Sequence, residues 1–241
     1  MKTDMKKIIG IVPKAYRFSR NVTNLDDMYY LGNNYIKRIV EAGMTPICLA
    51  PNDGWISEEA LELCDGFVVQ GGKCMHPYHF QVVHHAFVHG KKYLGICLGM
   101  QLLHRYLAMR RYVLDRNISG DICKNIIQIL ETQGVVAGRL ESIEGHRSEK
   151  MPRGEEEAAK HAVDIVPGTI LHRIMGSTTI RGATYHNWRV VDLCEDEIVN
   201  AWSTDGTETI EGIECCDNLI GVQFHPEIDD KLPELFRFLS E

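Results

Sequence analysis

The chain has 241 residues, of which 44% are hydrophobic and 24% are charged, so it can bury a complete core and is not broadly disordered. Lys and Arg number 26 against 33 Asp and Glu, which gives a net charge of −7. Because no run rich in Lys and Arg stands out, the composition argues against nucleic acid or a membrane as the main partner.

The N-terminal segment shows no export signal. Residues 1–7 are polar, and the apolar run Ile8–Pro13 is too short for a signal peptide or a membrane span. Eight cysteines are scattered along the chain without a CxxC pair, which favours reduced thiols over disulfides or a zinc site of the usual spacing. We therefore expect a soluble, cytoplasmic protein.

Short apolar runs alternate with helical patterns over the first two-thirds of the chain. The runs predict strands at 7–13, 45–50, 66–70 and 93–97. Helices are predicted from about Asp27, from Ser57, over about 79–89, and after Cys97. In the first helix Met28, Leu31 and Tyr35 would share one face, with Asp26 or Asp27 as its cap. Strands and helices at this spacing indicate a doubly wound, mostly parallel sheet.

The pattern weakens after about residue 110. Residues 145–161 are polar and rich in helix breakers, which predicts a variable excursion over about 110–161 within a single domain, 1–241. From Ala162 the chain reads as β-rich, with strands at 162–166, 197–202, 210–214 and 219–224. A last helix is predicted from about Leu232 to Leu239.

Cys97 lies where a predicted strand ends and a helix begins, in Gly95-Ile96-Cys97-Leu98-Gly99. Glycines two residues before and two after leave room for a sharp turn, as in a nucleophile elbow. The following helix N-terminus favours a thiolate, and the Leu98 N–H is free to bind a developing oxyanion. A buried structural cysteine in a tight turn is the alternative.

A second string, Gly221-Val222-Gln223-Phe224-His225-Pro226-Glu227, ends an apolar strand on a histidine. His225 could take the thiol proton, and Glu227 could accept from its other ring nitrogen. Taken alone, a strand-end histidine with an incidental glutamate is the better explanation. The third string, Gln70-Gly71-Gly72, could expose backbone N–H groups to an anion, although a plain turn is at least as common.

Together these strings resemble the class I glutamine amidotransferase superfamily, in which G-x-C-x-G-x-Q and a late H-P-E carry a Cys-His-Glu triad. Within it, the chain is most similar to the γ-glutamyl hydrolase (peptidase C26) branch. Ile9-Gly10-Ile11 and Ser203-Thr204-Asp205-Gly206 also support this branch. The similarity covers about 5–105 and 160–241. It implies a flavodoxin-like three-layer α/β sandwich with a mostly parallel central sheet and added β-strands in the C-terminal half.

The resemblance also implies roles for individual residues. Cys97 becomes the nucleophile, His225 the base and Glu227 its orienting carboxylate. Gly72 and Leu98 become the oxyanion donors, while Gln101 and His186 are substrate-binding candidates; these assignments are carried over position by position. No cofactor is implied.

Two departures bear on the leaving group. Lys73-Cys74 follows the glycine pair where the family usually has an acidic residue, and Ala183-Thr184-Tyr185-His186-Asn187-Trp188 keeps only the histidine of a Ser-x-His-x-Gln-like string. The identity of the released amine therefore stays open.

A metal site is not predicted. His85 and His89 are four residues apart on a probable helix, which suits two ligands, but no Glu lies between them and the sequence places no third ligand. A half-exposed polar face explains them better.

Three functions follow from the sequence. The first is a hydrolase that cleaves the γ-amide bond of a small γ-glutamyl compound or glutamine, releasing glutamate and an amine. The second is a glutaminase subunit that delivers ammonia to a synthase partner. The third, a non-catalytic binding protein, is disfavoured because all three triad positions are filled. The oligomeric state stays open, a homodimer included.

Overall fold

A computed structural model describes residues 6–17, 27–144, 160–229 and 232–241. Of the predicted excursion over about 110–161, residues 145–159 lie outside the described residues. In chain order, the strands are β1 Ile8–Val12, β2 Lys14–Arg17, β3 Asp27–Tyr30, β4 Thr45–Cys48, β5 Gly66–Val69, β6 Lys92–Ile96, β7 Leu140–Ser142, β8 Lys160–Ile165, β9 Thr179–Ala183, β10 Trp188–Val190, β11 Ile198–Ser203, β12 Ile210–Cys215 and β13 Leu219–Val222. The helices are α1 Asn33–Glu41, α2 Glu58–Leu63, α3 Pro77–His89, α4 Leu98–Asp115, α5 Ile122–Gln133, α6 Ile170–Met175 and α7 Glu234–Arg237.

Nine of the described strands form one sheet in the order β4-β1-β5-β6-β13-β12-β11-β8-β9. Strands β4, β1, β5, β6 and β13 run parallel to one another, and the remaining four extend the sheet beyond β13 with antiparallel pairing. This confirms the predicted α/β sheet with strands added in the second half. Because the parallel strands all end at the same edge, β5, β6 and β13 carry the segments after them to one place.

Helices cover both faces of the sheet, so the protein has three layers. On β5, Phe67 and Val69 pack against the core beneath α2, α3, α4 and α5, whereas Val68 points into the other core. That second core lies beneath α1, α6 and α7. The alternation follows from the two-residue period of a strand that is buried on both faces.

The predicted helix from Asp27 begins later than expected. Residues 27–30 form β3, which pairs with β2 as an antiparallel ribbon, and α1 starts at Asn33. Gly32 precedes that start, and its N–H donates to the Gln70 side-chain oxygen at 2.7 Å. The apolar spacing of Met28 and Leu31 therefore does not reflect a helix, although Tyr35 does lie on the buried face of α1.

Two further boundaries differ from the sequence predictions. Residues 110–133, where the sequence pattern weakens, are largely helical. Helix α4 runs to Asp115 and α5 covers 122–133, with Ile126 buried in the core. The C-terminal helix is divided into α7 and a 3-10 turn, Phe238–Ser240. No helix in the described part of the chain combines the length and apolar character needed to cross a membrane.

Candidate active site

Cys97 occupies the turn between β6 and α4 in a backbone conformation that side chains rarely adopt. Its φ of 53° and ψ of −100° lie outside the helical and strand regions, and such residues cost on the order of 1–3 kcal/mol. The Cys97 N–H donates to the Val222 carbonyl at 2.8 Å, which anchors the turn to β13. The side chain is 6% exposed. The predicted sharp elbow is present.

The two glycines flanking Cys97 are required by space. A Cβ atom at Gly99 would lie 2.5 Å from the Val69 carbonyl oxygen, and one at Gly95 would lie 2.5 Å from the Gly99 carbonyl. These contacts are with backbone atoms, which cannot move aside cheaply. The glycine spacing therefore allows α4 to begin directly against β5 and β6.

His225 and Glu227 form a short contact at the end of β13. The His225 Nδ1 atom lies 2.7 Å from the Glu227 Oε1 atom, and the two side chains are 12% and 5% exposed. The His225 N–H donates to the Ala183 carbonyl, and Pro226 begins a 3-10 turn that turns Glu227 back toward the ring. The sequence spacing of these two residues therefore produces a side-chain pair.

The structure brings this pair beside Cys97. A Cβ atom added at Gly71 would lie 2.7 Å from the His225 Cε1 atom and 3.2 Å from the Cys97 Cβ atom, so both side chains pack on Gly71. The His225 Nε2 atom is buried, and the ring lies close enough to the Cys97 sulfur for that sulfur to raise its pKa. Nδ1 is engaged by Glu227, which leaves Nε2 as the ring nitrogen available for a thiol proton.

Opposing effects set the charge of the pair. Burial alone would lower the pKa of His225, but the Glu227 carboxylate and the Cys97 sulfur together raise that pKa well above its ordinary value. Burial would raise the pKa of Glu227, but His225 and Tyr35 lower it overall. The local electrostatics thus favour an imidazolium beside a carboxylate.

Two residues of α1, Tyr35 and Arg38, contact Glu227 and support its position. The Tyr35 hydroxyl accepts the Gly71 N–H at 3.1 Å and faces the Glu227 carboxylate. Burial, followed by the Glu227 charge, holds the pKa of Tyr35 well above its usual range, so the phenol stays protonated. The Arg38 Nε atom donates to the Glu227 backbone carbonyl at 3.2 Å. The sequence pattern places Tyr35 only on a core face and does not mark Arg38.

Leu98 and Gly72 lie next to each other beside Cys97. A Cβ atom at Gly72 would lie 3.0 Å from the Leu98 Cδ2 atom. Leu98 is the first residue of α4, and backbone N–H groups in the first turn of a helix have no acceptor within that helix. Two backbone segments thus flank Cys97, as an oxyanion site would require.

Gln101 and His186 meet at a backbone carbonyl. The Gln101 amide nitrogen donates to the Trp188 carbonyl at 3.1 Å and to the Gln223 side-chain oxygen at 3.0 Å. The His186 Nδ1 atom lies 3.0 Å from the Trp188 carbonyl oxygen, and Nε2 lies 3.4 Å from the buried Glu211. These contacts hold the segment that places the Tyr185 ring 6.5 Å from the His225 ring. His186 therefore influences the site through the residues beside it in the chain, Tyr185 among them.

Lys14, which no sequence pattern marks, borders the site. The Lys14 side chain passes 3.9 Å from the position a Gly72 Cβ atom would occupy, and its ammonium lies 5.5 Å from the Tyr30 ring centroid. Burial lowers the pKa of Lys14, while the charges of Glu227 and Cys97 act in the opposite direction. Nothing in the sequence around Lys14 distinguishes it from other charged residues near a strand end.

We expect Gly71→Ala to slow alkylation of Cys97 by iodoacetamide about tenfold or more, because the added methyl group would separate Cys97 from His225. Peptide mass spectrometry measures the rate, and circular dichroism checks the fold. Cys216, exposed near the opposite end of the sheet, is the internal control. Equal slowing at both cysteines would contradict a local effect.

Comparisons with known proteins agree with this architecture. The family model described as glutamine amidotransferase class-I matches residues 25–234. A glutamine amidotransferase-like protein of Rickettsia prowazekii is 27% identical, over 92% of this chain and 91% of its own. The CTP synthase of Chlamydia felis is 29% identical over 72% of this chain, but only 32% of that longer protein is covered. The glutaminase domain of Trypanosoma brucei CTP synthase, solved with bound acivicin, superposes with a TM-score of 0.61 at 18% identity, covering 98% of this chain and 92% of that one.

Proposed function

The chain belongs to the class-I glutamine amidotransferase family, and we propose that it is a cysteine-dependent hydrolase of the peptidase C26 type, cleaving the γ-amide bond of a small γ-glutamyl compound. The observation that carries this proposal is the meeting of Cys97, His225 and Glu227 at one edge of the sheet. The order of contacts, from carboxylate to imidazole to thiol, is that of an activated nucleophile.

In the first half of the reaction, the thiol proton of Cys97 passes to the neutral His225 ring, which gives the imidazolium that Glu227 favours. The sulfur attacks the γ-carbonyl carbon, and the carbonyl electrons move to an oxyanion that the N–H groups of Leu98 and Gly72 stabilise. The C–N bond then breaks as His225 returns the proton to the leaving nitrogen. This step leaves a γ-glutamyl thioester on Cys97 and releases the amine.

In the second half, a water molecule attacks the thioester with His225 as general base. The C–S bond breaks, glutamate leaves, and the proton on His225 returns to the sulfur. Glu227 holds the imidazole in one orientation through Nδ1 and stabilises its positive form. Tyr35 and Arg38 in turn hold Glu227.

Lys14 adds a cation to the site that suits a substrate carboxylate. We expect Lys14→Met to raise KM about tenfold or more with a smaller change in kcat, because a charge-assisted hydrogen bond is worth roughly 1.5–3 kcal/mol. Steady-state kinetics measures both constants. Lys37→Met, on an exposed part of α1, is the matched control. A fall in kcat at unchanged KM would contradict a binding role.

The second candidate function is a glutaminase that supplies ammonia to a synthase partner. It is favoured by the similarity to CTP synthase proteins, one of them described as a glutaminase domain. Under this proposal the substrate is glutamine itself. The chemistry on Cys97 would be the same, and only the leaving amine would differ.

One assay separates the two functions. Purified protein is offered glutamine and a panel of γ-glutamyl amines, and released glutamate is followed by mass spectrometry. Strong turnover of a γ-glutamyl amine with little of glutamine supports the first function. Turnover of glutamine that appears only after a partner extract is added supports the second. If no compound is hydrolysed and Cys97→Ala causes no loss of function, both enzymatic proposals are wrong.

A further inference from the structure

Three side chains with metal-binding groups meet where α2 packs against α3. They are Glu62 near the end of α2 and His85 and His89 in the last turns of α3. One ligand atom from each lies within 4.8 Å of the other two. The fold thus supplies the third ligand that the sequence alone does not place. We propose that these residues bind one divalent transition-metal ion of the Zn²⁺ type.

His85 carries the argument because its free nitrogen is buried. The residue is 4% exposed, yet its Nε2 atom makes no hydrogen bond within the described residues. That atom lies 3.8 Å from the Glu62 Oε1 atom, and the His89 Nε2 atom lies 4.0 Å from the same oxygen. Since buried polar atoms almost always have partners, an ion between these atoms would account for the unpaired nitrogen.

The separations fit a tetrahedral ion after small side-chain movements. Zinc bonds to nitrogen and oxygen of about 2.0–2.2 Å place neighbouring ligand atoms about 3.4 Å apart. The two observed distances to Glu62 Oε1 need to close by less than about 1 Å, and the ligand atoms of His85 and His89, which lie within 4.8 Å of each other, need to close by at most about 1.4 Å. Glu62 and His89 are 57% and 46% exposed, so their side chains can move. Two imidazoles with one carboxylate favour Zn²⁺ over Mg²⁺ or Ca²⁺, which prefer oxygen ligands.

Neighbouring side chains that do not themselves bind the ion hold its ligands in position. The His85 Nδ1 atom lies 3.5 Å from the Glu58 Oε2 atom, which leaves Nε2 directed at the site. Carboxylates in this position commonly fix the orientation of metal-binding histidines. The Lys91 ammonium contacts the other Glu62 oxygen, Oε2, at 3.4 Å and donates to the Leu61 and Glu62 carbonyls. The Lys91 ammonium therefore competes with the ion for the negative charge of the Glu62 carboxylate, but it leaves Oε1 facing the histidines.

The proposed metal site is separate from Cys97. Glu62 precedes the start of β5 and His89 precedes the start of β6, whereas Cys97 follows the end of β6. The two sites thus lie at opposite ends of the same parallel strands. A bound ion would join α2 to α3 and stabilise the fold without contacting the substrate.

The test measures Zn²⁺ binding to chelator-treated full-length protein by equilibrium dialysis. We expect Glu62→Gln and His89→Ala each to hold one equivalent fewer than the wild type. Glu58→Gln should keep that equivalent with about 10- to 100-fold lower affinity. Glu59→Gln on α2 and His172→Ala on α6 are the matched controls and should bind like the wild type.

Because the chain has eight cysteines, Co²⁺ provides a second readout. Cobalt in this site should give visible d–d absorption that His89→Ala removes, without a sulfur-to-cobalt charge-transfer band. Circular dichroism of each variant checks the fold. Equal Zn²⁺ stoichiometry and affinity in the wild type and both ligand variants would overturn the proposal. So would a wild type that binds no Zn²⁺, or cobalt spectra dominated by thiolate ligation and unchanged in His89→Ala.

Discussion

Cys97→Ala is expected to lower turnover of the γ-glutamyl substrate by roughly 10⁴–10⁶-fold, because the variant lacks the sulfur on which the acyl intermediate forms. Substrate binding should change little, since the alanine removes only the sulfur. Turnover is measured by released glutamate, and binding is measured by calorimetry on the inactive variant. Circular dichroism should be unchanged, because Cys97 holds the turn through its backbone N–H.

Cys216→Ala is the matched control, as it removes an exposed thiol from the opposite end of the sheet. It should keep wild-type turnover. A mass increase equal to one γ-glutamyl group, found on Cys97 after acid quenching during turnover, would identify the intermediate. If Cys97→Ala retains more than a few per cent of activity, the covalent route through this sulfur is wrong.

The sequence signals for Cys97, His225 and Glu227 are local in the chain. Cys97 is marked by glycines two residues away on each side, and those glycines are needed for the contacts of the elbow with Val69 and with each other. His225 and Glu227 are two residues apart, and Pro226 between them begins the turn that joins their side chains. In both cases the residues that define the geometry are neighbours in the chain.

The supporting residues could not be predicted in the same way. Tyr35 and Arg38 are far along the chain from Glu227, and only the packing of α1 against the turn after β13 brings them together. Lys14 reaches the site because β1 ends at the same edge as β5 and β6. Glu62 meets His85 and His89 through helix packing. None of these contacts leaves a spacing pattern in the sequence.

The late start of α1 has a similar cause. Met28, Leu31 and Tyr35 fit a helical period, but residues 27–30 pair with residues 14–17 instead. Pairing with residues 10 to 16 positions away in the chain outweighs the local period, and tyrosines at 29 and 30 suit a strand. The resulting ribbon carries Lys14 and Tyr30 to the rim of the site. The boundary error therefore concealed the ribbon that carries these two residues.

Glu227→Gln should reduce kcat/KM by about 10²–10⁴-fold while leaving the Cys97 thiol in place. Glutamine keeps the size of the side chain but removes the charge that stabilises the His225 imidazolium, and it can present an N–H to Nδ1 and so favour the wrong tautomer. The loss should appear mainly in kcat. Glu234→Gln, on the surface helix α7, is the matched control and should retain full activity.

The pH profile separates an electrostatic role from a purely structural one. In the wild type the pKa of His225 is raised well above its ordinary value, with burial opposing and Glu227 and Cys97 supporting the charged form. The imidazolium must protonate the leaving amine, so kcat/KM should fall as pH rises through that raised pKa. Glu227→Gln removes the main charge that raises the pKa but keeps the burial that lowers it. The alkaline limb of the profile should therefore move to lower pH, by about one unit or more.

Glu227→Asp provides the conservative comparison, because it keeps the charge but shortens the reach to Nδ1. Its alkaline limb should stay closer to that of the wild type than the limb of Glu227→Gln, even if both variants are slow. A Glu227→Gln enzyme with reduced kcat/KM but an unmoved alkaline limb would mean that Glu227 only fixes the position of the ring. The charge on Glu227 would then have no part in setting the protonation of His225, and the imidazolium would depend on the Cys97 sulfur alone.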